Sequence, residues 1–248
     1  MTRGPLMLLG SGEFTSSMDA IDAEMLSRLG RKPRVAVVPT AAGQEDTPPH
    51  WIEMGSDHFR ALGAEPVAVT VLDRLDAMDP IWSERISDVD WIYFSGGNPG
   101  YVVETLIATP FWAAVVARHR AGAILAGSSG GAMMLGGTTL VPLARGPDGL
   151  PTKATTRSAL GLLPDVIIAP HFDILPPARM ARWVDAWPAD HLLLGIDEDT
   201  AVIENGGGWT ARGRGRVVVG RSFEETTTFR DGAAVTGLAP SVLPRLDA

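Results

Sequence analysis

A serine flanked by glycines lies where a short apolar run passes directly into a helical pattern, in the segment Gly127-Ser128-Ser129-Gly130-Gly131. Serine hydrolases hold their nucleophile in such a strand-to-helix turn, with the pattern Gly-x-Ser-x-Gly. Ser129 fits this pattern and Ser128 does not, because Ser129 has glycine two residues before and two residues after it. A glycine-rich turn also serves tight packing or anion binding, so the prediction of a nucleophile depends on the position of the motif between strand and helix.

A serine hydroxyl is a weak nucleophile at neutral pH, so a base must accept its proton. We select His171 because it follows the apolar run 166–169, at the carboxyl end of a predicted strand, where active sites of such sheets lie. His58 and His119 fall in helical patterns with charged neighbours and are expected to be solvated. The other two histidines lie in a proline-rich loop and at the start of a predicted strand, at His50 and His191.

The base in turn needs a carboxylate that fixes its tautomer and stabilises its charged form. Three consecutive acids, Asp197, Glu198 and Asp199, end another apolar run and are candidates for this role. The same acids are typical of a solvated turn, and their spacing does not choose among them.

Backbone amides for an oxyanion hole are expected from two glycine-rich strand ends. One is the amide of Gly130, and the other lies in the turn 93–100, where Gly96 and Gly97 leave room for a substrate. The alternative for this turn is an ordinary strand-to-helix connection in which Asn98 caps a helix that begins at Pro99. The first strand also ends in glycine, in the segment 10–12, which is expected at the same edge.

Short apolar runs alternate with longer helical patterns along the chain, which is typical of an α/β sheet. The runs are almost continuously apolar, and this favours a mainly parallel sheet covered by helices on both faces. We therefore predict a three-layer α/β/α sandwich. Its predicted strands are 5–9, 34–38, 66–71, 91–94, 123–126, 166–169 and 192–196, and its predicted helices are 17–29, 101–107, 111–119 and 180–187.

The pattern changes from about Thr200, where alternating apolar residues are split by glycine-rich turns and predict a small C-terminal antiparallel β-meander. Residues 145–158 are polar and contain glycine and proline, so we predict a loop there. Because no linker, repeat or low-complexity tract interrupts the chain, residues 1–248 are predicted to form a single domain with its core at about 5–220.

Composition excludes several classes of function. A net charge of -8 and a pI of about 5.1, without a Lys/Arg cluster, argue against nucleic-acid or anionic-membrane partners. The absence of cysteine excludes disulfides, thiolate metal sites and a cysteine nucleophile. No apolar run approaches a membrane span or a signal sequence, so we expect a cytoplasmic location. No metal or other cofactor is expected, and assembly as a homodimer is compatible with the sequence.

The ordered motifs resemble peptidase family S51, the dipeptidase E and cyanophycinase family, within the class I glutamine amidotransferase-like fold. The resemblance spans residues 5 to about 220. It rests on Leu9-Gly-Ser-Gly-Glu13, Val38-Pro-Thr-Ala41, Phe94-Ser-Gly-Gly-Asn98, Gly127-Ser-Ser-Gly-Gly-Ala132, Gly161-Leu-Leu-Pro164, His171-Phe172, Arg179-Met-Ala-Arg182 and Gly195-Ile-Asp-Glu-Asp-Thr-Ala201.

This resemblance implies a triad in which Ser129 is the nucleophile, His171 the base and Glu198 the acid, and so it selects among the three acids. It also implies an oxyanion hole from the amides of Gly97 and Gly130. The residues expected to bind substrate are Asn98, Arg179 and Arg182.

Several positions depart from the family pattern. Cyanophycinases carry Asp-Gln before the histidine and a glutamine after the glycine turn, whereas this chain has Ala169, Pro170 and Pro99. At the position after the nucleophile, where the family usually has alanine, this chain has Gly130. This glycine loosens the strand-to-helix turn around Ser129, which is called the nucleophile elbow. Two additional residues lie between His171 and the arginines. The missing polar side chains at positions 99, 169 and 170 argue against cyanophycin as the substrate.

The sequence therefore predicts a serine peptidase or amidohydrolase that cleaves a small peptide through an acyl-enzyme. One alternative is an esterase of the α/β-hydrolase class, but that class places its carboxylate before the histidine, and no histidine follows Glu198 here. A glutamine amidotransferase would need cysteine at the elbow. The alternative from a different class is a non-catalytic binding protein for small molecules or peptides that retains the fold.

Overall fold

A computed structural model describes residues 3–30, 32–147, 151–175, 188, 190–221 and 225–244. Within these ranges the strands are β1 (Leu6–Leu9), β2 (Arg34–Val38), β3 (Glu65–Ala68), β4 (Trp91–Phe94), β5 (Ile124–Ser128), β6 (Thr138–Arg145), β7 (Pro151–Ser158), β8 (Val166–Ala169), β9 (Leu192–Ile196), β10 (Thr200–Asn205), β11 (Gly208–Gly213), β12 (Val217–Gly220), β13 (Thr226–Phe229) and β14 (Ala234–Val235). The helices are α1 (Asp19–Ser27), α2 (Pro48–Ala61), α3 (Arg74–Met78), α4 (Pro80–Arg85), α5 (Pro99–Leu106), α6 (Pro110–Arg120) and α7 (Gly130–Met133), and a 3-10 turn covers Thr40–Ala42.

An eight-stranded sheet in the order β14-β11-β10-β1-β5-β4-β2-β3 forms the middle layer. The neighbouring strands β1, β5, β4, β2 and β3 are all parallel. On the other side of β1, the strands β10, β11 and β14 add an antiparallel edge. Because side chains alternate along a strand, Met7 and Leu9 pack with α1 and α2, while Leu6 and Leu8 pack with α5 and α6. Burial on both faces explains the continuous apolar runs, and the predicted three-layer α/β/α class is confirmed.

A second sheet, in the order β13-β12-β9-β8, packs against one face of the first. It contains two of the strands that we predicted for a single sheet, 166–169 and 192–196. The strands β8 and β9 are parallel neighbours, so their carboxyl ends lie side by side. This sheet, and not the main one, therefore carries the histidine and the acids that follow these strands.

The C-terminal strands are antiparallel, as predicted, but they are divided between the two sheets. The β10–β11 hairpin extends the main sheet, and β12 pairs with β9 and β13 in the second sheet. The loop prediction for 145–158 was wrong, because β6 and β7 form an antiparallel hairpin of their own. Much of β7 is exposed, so it lacks the apolar run by which the other strands were recognised.

Three histidines are placed differently from the prediction. His58 and His119 are buried, 8% and 1% exposed, whereas solvation was predicted. His58 Nε2 lies 2.8 Å from the carboxylate of Asp22, and burial raises the pKa of this acid. Burial also lowers the pKa of His119, whose Nδ1 lies 3.1 Å from the carbonyl oxygen of Ala123. His50 belongs to α2 and not to a loop. Charged neighbours misled the prediction because they occupy other faces of the same helices.

Among the described residues, no single helix is both long enough and apolar enough to cross a membrane. The helices α5 and α6 meet these criteria only when taken together, and they are bent by 95° relative to each other. Both contribute buried side chains to the core beside the main sheet.

Candidate active site

Ser129 occupies the turn between β5 and α7 that the sequence predicted. Its backbone has φ 49° and ψ -117°, a conformation that residues other than glycine rarely adopt. The turn is held by the Ser129 amide, which donates to the carbonyl oxygen of Leu9 at 3.1 Å. It also needs its glycines, because a Cβ on Gly127 would overlap the carbonyl oxygen of Gly131. The strained turn thus presents the serine side chain at the carboxyl end of β5.

His171 and Glu198 complete a chain of hydrogen bonds that begins at Ser129. Ser129 Oγ lies 2.9 Å from Nε2 of His171, and Nδ1 of the same ring lies 2.7 Å from Oε1 of Glu198. The parallel pairing of β8 with β9 places the histidine and the acid next to each other at the carboxyl ends of these strands. The structure therefore brings together the three residues for which the sequence predicted a triad.

The neighbouring acids have other partners. Asp197 accepts hydrogen bonds from the backbone amide and the Nε of Arg216, both at 2.8 Å, and this pairing raises the pKa of the arginine. Asp199 accepts from the hydroxyl of Ser17 at 2.5 Å and also pairs with Arg214. The hydroxyl, together with the guanidinium, holds the pKa of Asp199 below its ordinary value. Of the three acids, Glu198 is the one in contact with His171.

The backbones of Gly97 and Gly130 meet beside Ser129. A Cβ on Gly130 would overlap the carbonyl oxygen of Gly97, and a Cβ on Gly97 would overlap the backbone of Ala41. The Gly130 amide opens α7, so it has no carbonyl partner within that helix. Glycine at position 130 thus allows close contact between the two loops predicted to form the oxyanion hole.

Of the three residues predicted to bind substrate, only Asn98 lies within the described part of the chain. Asn98 is the N-cap of α5, where its Oδ1 accepts from the amides of Gly100 at 3.0 Å and Tyr101 at 3.1 Å. The capping alternative for this turn is therefore observed, and a contact between Asn98 and substrate stays a prediction. Arg179, Arg182 and the predicted helix 180–187 lie outside the described residues.

Glu13 is a site residue to which the sequence reasoning gave no role. Its side chain is buried, and its two oxygens accept from the Gly96 amide at 2.9 Å and from the Ser128 hydroxyl at 2.5 Å. It therefore joins the loop after β1 to the loop after β4 and to the elbow. The available signal was the position of this acid in a glycine-rich turn directly after a fully apolar strand, at the edge where the site was predicted.

We expect Glu13→Ala to lower kcat by about 10- to 100-fold with little change in KM, because small displacements of reacting groups cost rate. It should also lower the free energy of unfolding by about 2–4 kcal/mol, since two buried donors lose their acceptor. Glu13→Gln retains size and one acceptor and should recover most of both losses. Steady-state kinetics and urea unfolding measure these effects. Equal kinetics for the alanine variant and the unsubstituted protein would contradict a positioning role.

An apolar cavity of about 230 Å³ opens beside Ser129 and His171. Pro99, Ala169 and Pro170 all line it, at positions where the resemblance implies polar residues in cyanophycinases. A second recess of about 360 Å³ lies on the other side of the same serine and histidine and is lined by residues that include Glu13, Glu45 and Trp51. Ser129 and His171 therefore border two recesses, one of which also has acidic residues in its lining.

The sequence profile of peptidase family S51 matches residues 6–211. The chain belongs to this family. It is 31% identical over 227 residues to a cyanophycinase of Synechococcus elongatus, an alignment that covers 88% of the chain and 68% of that protein. As a member of family S51, the protein is a hydrolase of the peptidase or amidohydrolase type.

Solved structures agree with this membership of family S51. A peptidase from an acI-B1 Actinobacterium is 32% identical, with a TM-score of 0.79 over 94% of this chain and 96% of that one. A putative peptidase E protein from Listeria monocytogenes EGD-e is 18% identical, with a TM-score of 0.63 over 86% of this chain and 100% of that one, and this likeness concerns the fold alone. The class I glutamine amidotransferase-like fold implied by the sequence motifs is confirmed.

Proposed function

We propose that the protein is a serine peptidase that cleaves small peptides through an acyl-enzyme formed on Ser129. The observation that carries this proposal is the unbroken hydrogen-bonded chain from Ser129 through His171 to Glu198. This arrangement activates a serine for acyl transfer. The serine lies in a strained turn, a histidine is within hydrogen-bonding distance of its hydroxyl, and a carboxylate bonds to the other nitrogen of the imidazole ring.

In the first half of the reaction, Ser129 Oγ attacks the carbonyl carbon of the scissile amide while His171 Nε2 takes the hydroxyl proton. The carbonyl oxygen becomes negatively charged, and the amides of Gly97 and Gly130 are proposed to stabilise it. His171 then gives its proton to the amide nitrogen, the bond between carbon and nitrogen breaks, and the amine leaves. Glu198 stabilises the charged imidazole during these steps.

In the second half, a water molecule takes the place of the amine. His171 accepts a proton from this water, whose oxygen attacks the ester carbon on Ser129. Collapse of the second intermediate returns the proton to Ser129 Oγ and releases the carboxylic acid. No other reactant is required, which agrees with a site built from a serine, a histidine and a glutamate.

The comparisons suggest a peptide or amide substrate, and the cavity lining favours one other than cyanophycin. Pro99, Ala169 and Pro170 offer no polar side chain for gripping such a polymer, although the relatives named cyanophycinase are similar over most of the chain. We propose a short peptide, with Arg179 or Arg182 available to pair with an acidic group of the substrate.

Labelling with a small fluorophosphonate tests the proposal, since only an activated serine reacts rapidly with this reagent. We expect one label per chain on Ser129, found by mass spectrometry of the peptide that contains the elbow. Ser129→Ala should abolish the label. Ser128→Ala should retain it, because the Ser128 hydroxyl is buried and donates to Glu13. An unlabelled protein would instead support the non-catalytic alternative.

A further inference from the structure

The cavity beside the serine is apolar over most of its wall. Its described lining includes Met133, Leu140, Ala154, Ile174 and Leu175, together with prolines from β6, β7 and the segment after β8. Leu140, Leu175 and Ala169 belong to the hydrophobic cluster that joins the second sheet to the β6–β7 hairpin. Buried core residues thus form part of this wall, together with the exposed Ile174.

The position of the cavity relates it directly to the reacting atoms. Gly97, Ser129 and His171 all line it, so a group bound there lies next to a carbonyl held at Ser129. About 230 Å³ is less than the roughly 300–1,000 Å³ of sites for drug-sized ligands, so the space suits one side chain better than a long segment.

The chemistry of the lining selects among side chains. A carboxylate or ammonium group inside this cavity would lose hydration beside leucine, methionine and proline, whereas an apolar side chain gains by leaving water. Arg145 also lines the cavity, but it is exposed and lies at the end of β6, where it pairs with the first residue of β7, Pro151. A charge on the substrate would therefore be tolerated at the rim and disfavoured at the base of the cavity.

We propose that the enzyme is selective for peptides that carry a large apolar side chain, such as leucine, methionine or phenylalanine, on a residue next to the scissile bond. This inference rests on the proposed function, because it places the substrate carbonyl at Ser129. The β6–β7 hairpin supplies much of the selectivity through Leu140 and Ala154.

A matrix of dipeptides with leucine, alanine, aspartate or lysine at each position tests the substrate class, with products measured by mass spectrometry. At one of the two positions, leucine should exceed aspartate and lysine by at least about 10-fold in kcat/KM, the scale on which apolar pockets discriminate. A preference for aspartate or lysine at both positions would overturn the proposal.

Filling the cavity tests the location of the subsite. Ala154→Trp should lower kcat/KM for the preferred leucine substrate by at least about 10-fold while changing that of the matching alanine substrate by less than about 3-fold. Lys153→Trp is the matched control, because Lys153 is exposed on the same strand and is not part of the described lining. It should leave both substrates unchanged.

Fluorophosphonate labelling of each variant separates the two proposals. If Ser129 is labelled in Ala154→Trp but both substrates slow equally, the apolar subsite is wrong and the serine mechanism stands. If the unsubstituted protein neither reacts with the reagent nor cleaves any dipeptide, both proposals fail. Retained labelling with a selective loss of the leucine substrate supports the subsite.

Discussion

Ser129→Ala is expected to lower kcat/KM for a cleaved peptide by about 10⁴- to 10⁶-fold, the loss seen when the nucleophile of a catalytic triad is removed. The alanine side chain cannot form the acyl-enzyme, and His171 loses the hydroxyl at 2.9 Å from which it would take a proton. Residual hydrolysis would come from binding and from the oxyanion hole alone. Single-turnover assays at high enzyme concentration measure rates of this size.

Ser128→Ala provides the control for the nucleophile, since it makes the same chemical change one residue earlier. Ser128 is buried at the end of β5 and contacts Glu13, so its loss should affect stability and positioning more than chemistry. We expect it to retain activity within about 10-fold of the unsubstituted protein. Full hydrolysis by Ser129→Ala, or a larger loss in Ser128→Ala, would show that the nucleophile has been assigned to the wrong residue.

The bounds of several strands were predicted correctly from their own hydrophobic pattern. Residues 34–38, 91–94, 166–169 and 192–196 have the bounds observed for β2, β4, β8 and β9. Their side chains are almost all buried, so the hydrophobic pattern matches the bounds of these four strands. The pattern carries no comparable signal for the pairing of strands. An apolar run such as 166–169 looks the same whether it joins the main sheet or, as here, a second one.

In the site, too, features formed by contiguous residues were predicted, whereas the contacts of Glu13 with residues far from it in the sequence were not. The turn around Ser129 was predictable because its glycines and its strand-to-helix setting are contiguous in the chain. Glu13 was not recognised because its partners Gly96 and Ser128 lie 83 and 115 residues further along the chain. Likewise, residues 145–158 were predicted to be a loop although they include β7, one strand of the hairpin beside the apolar cavity, since the exposed residues of β7 have no continuous hydrophobic pattern.

The choice among the three acids is an instructive intermediate case. Spacing left Asp197, Glu198 and Asp199 equivalent, and the resemblance to family S51 selected Glu198. The structure adds a physical reason, because Asp197 faces Arg216 and Asp199 faces Ser17 and Arg214. Two of the acids thus bond to residues other than His171, and Glu198 is the acid that contacts the ring.

Glu198→Gln is expected to lower kcat by about 10²- to 10⁴-fold with a smaller change in KM. Glutamine occupies nearly the same space but carries no charge, so the imidazolium that forms during attack loses its stabilising partner. Its amide can also donate towards Nδ1, which favours a ring orientation or tautomer unsuited to taking the proton from Ser129. The effect should lie below that of a fully buried triad carboxylate, because the side chains of His171 and Glu198 are 34% and 39% exposed and water can partly replace the carboxylate.

Asp199→Asn is the matched control for Glu198→Gln, since it also replaces a carboxylate by an amide, on the adjacent residue. Asp199 has φ 52°, a conformation that asparagine accepts readily, so the turn should survive the substitution. Loss of its bonds to Ser17 and Arg214 should lower stability modestly and leave kcat within about 10-fold, because Asp199 is directed away from His171. If Asp199→Asn lost more activity than Glu198→Gln, the carboxylate that orients the base would have to be reassigned to Asp199. A larger loss of activity in Glu198→Gln than in Asp199→Asn would support a catalytic role for Glu198 and a structural role for Asp199.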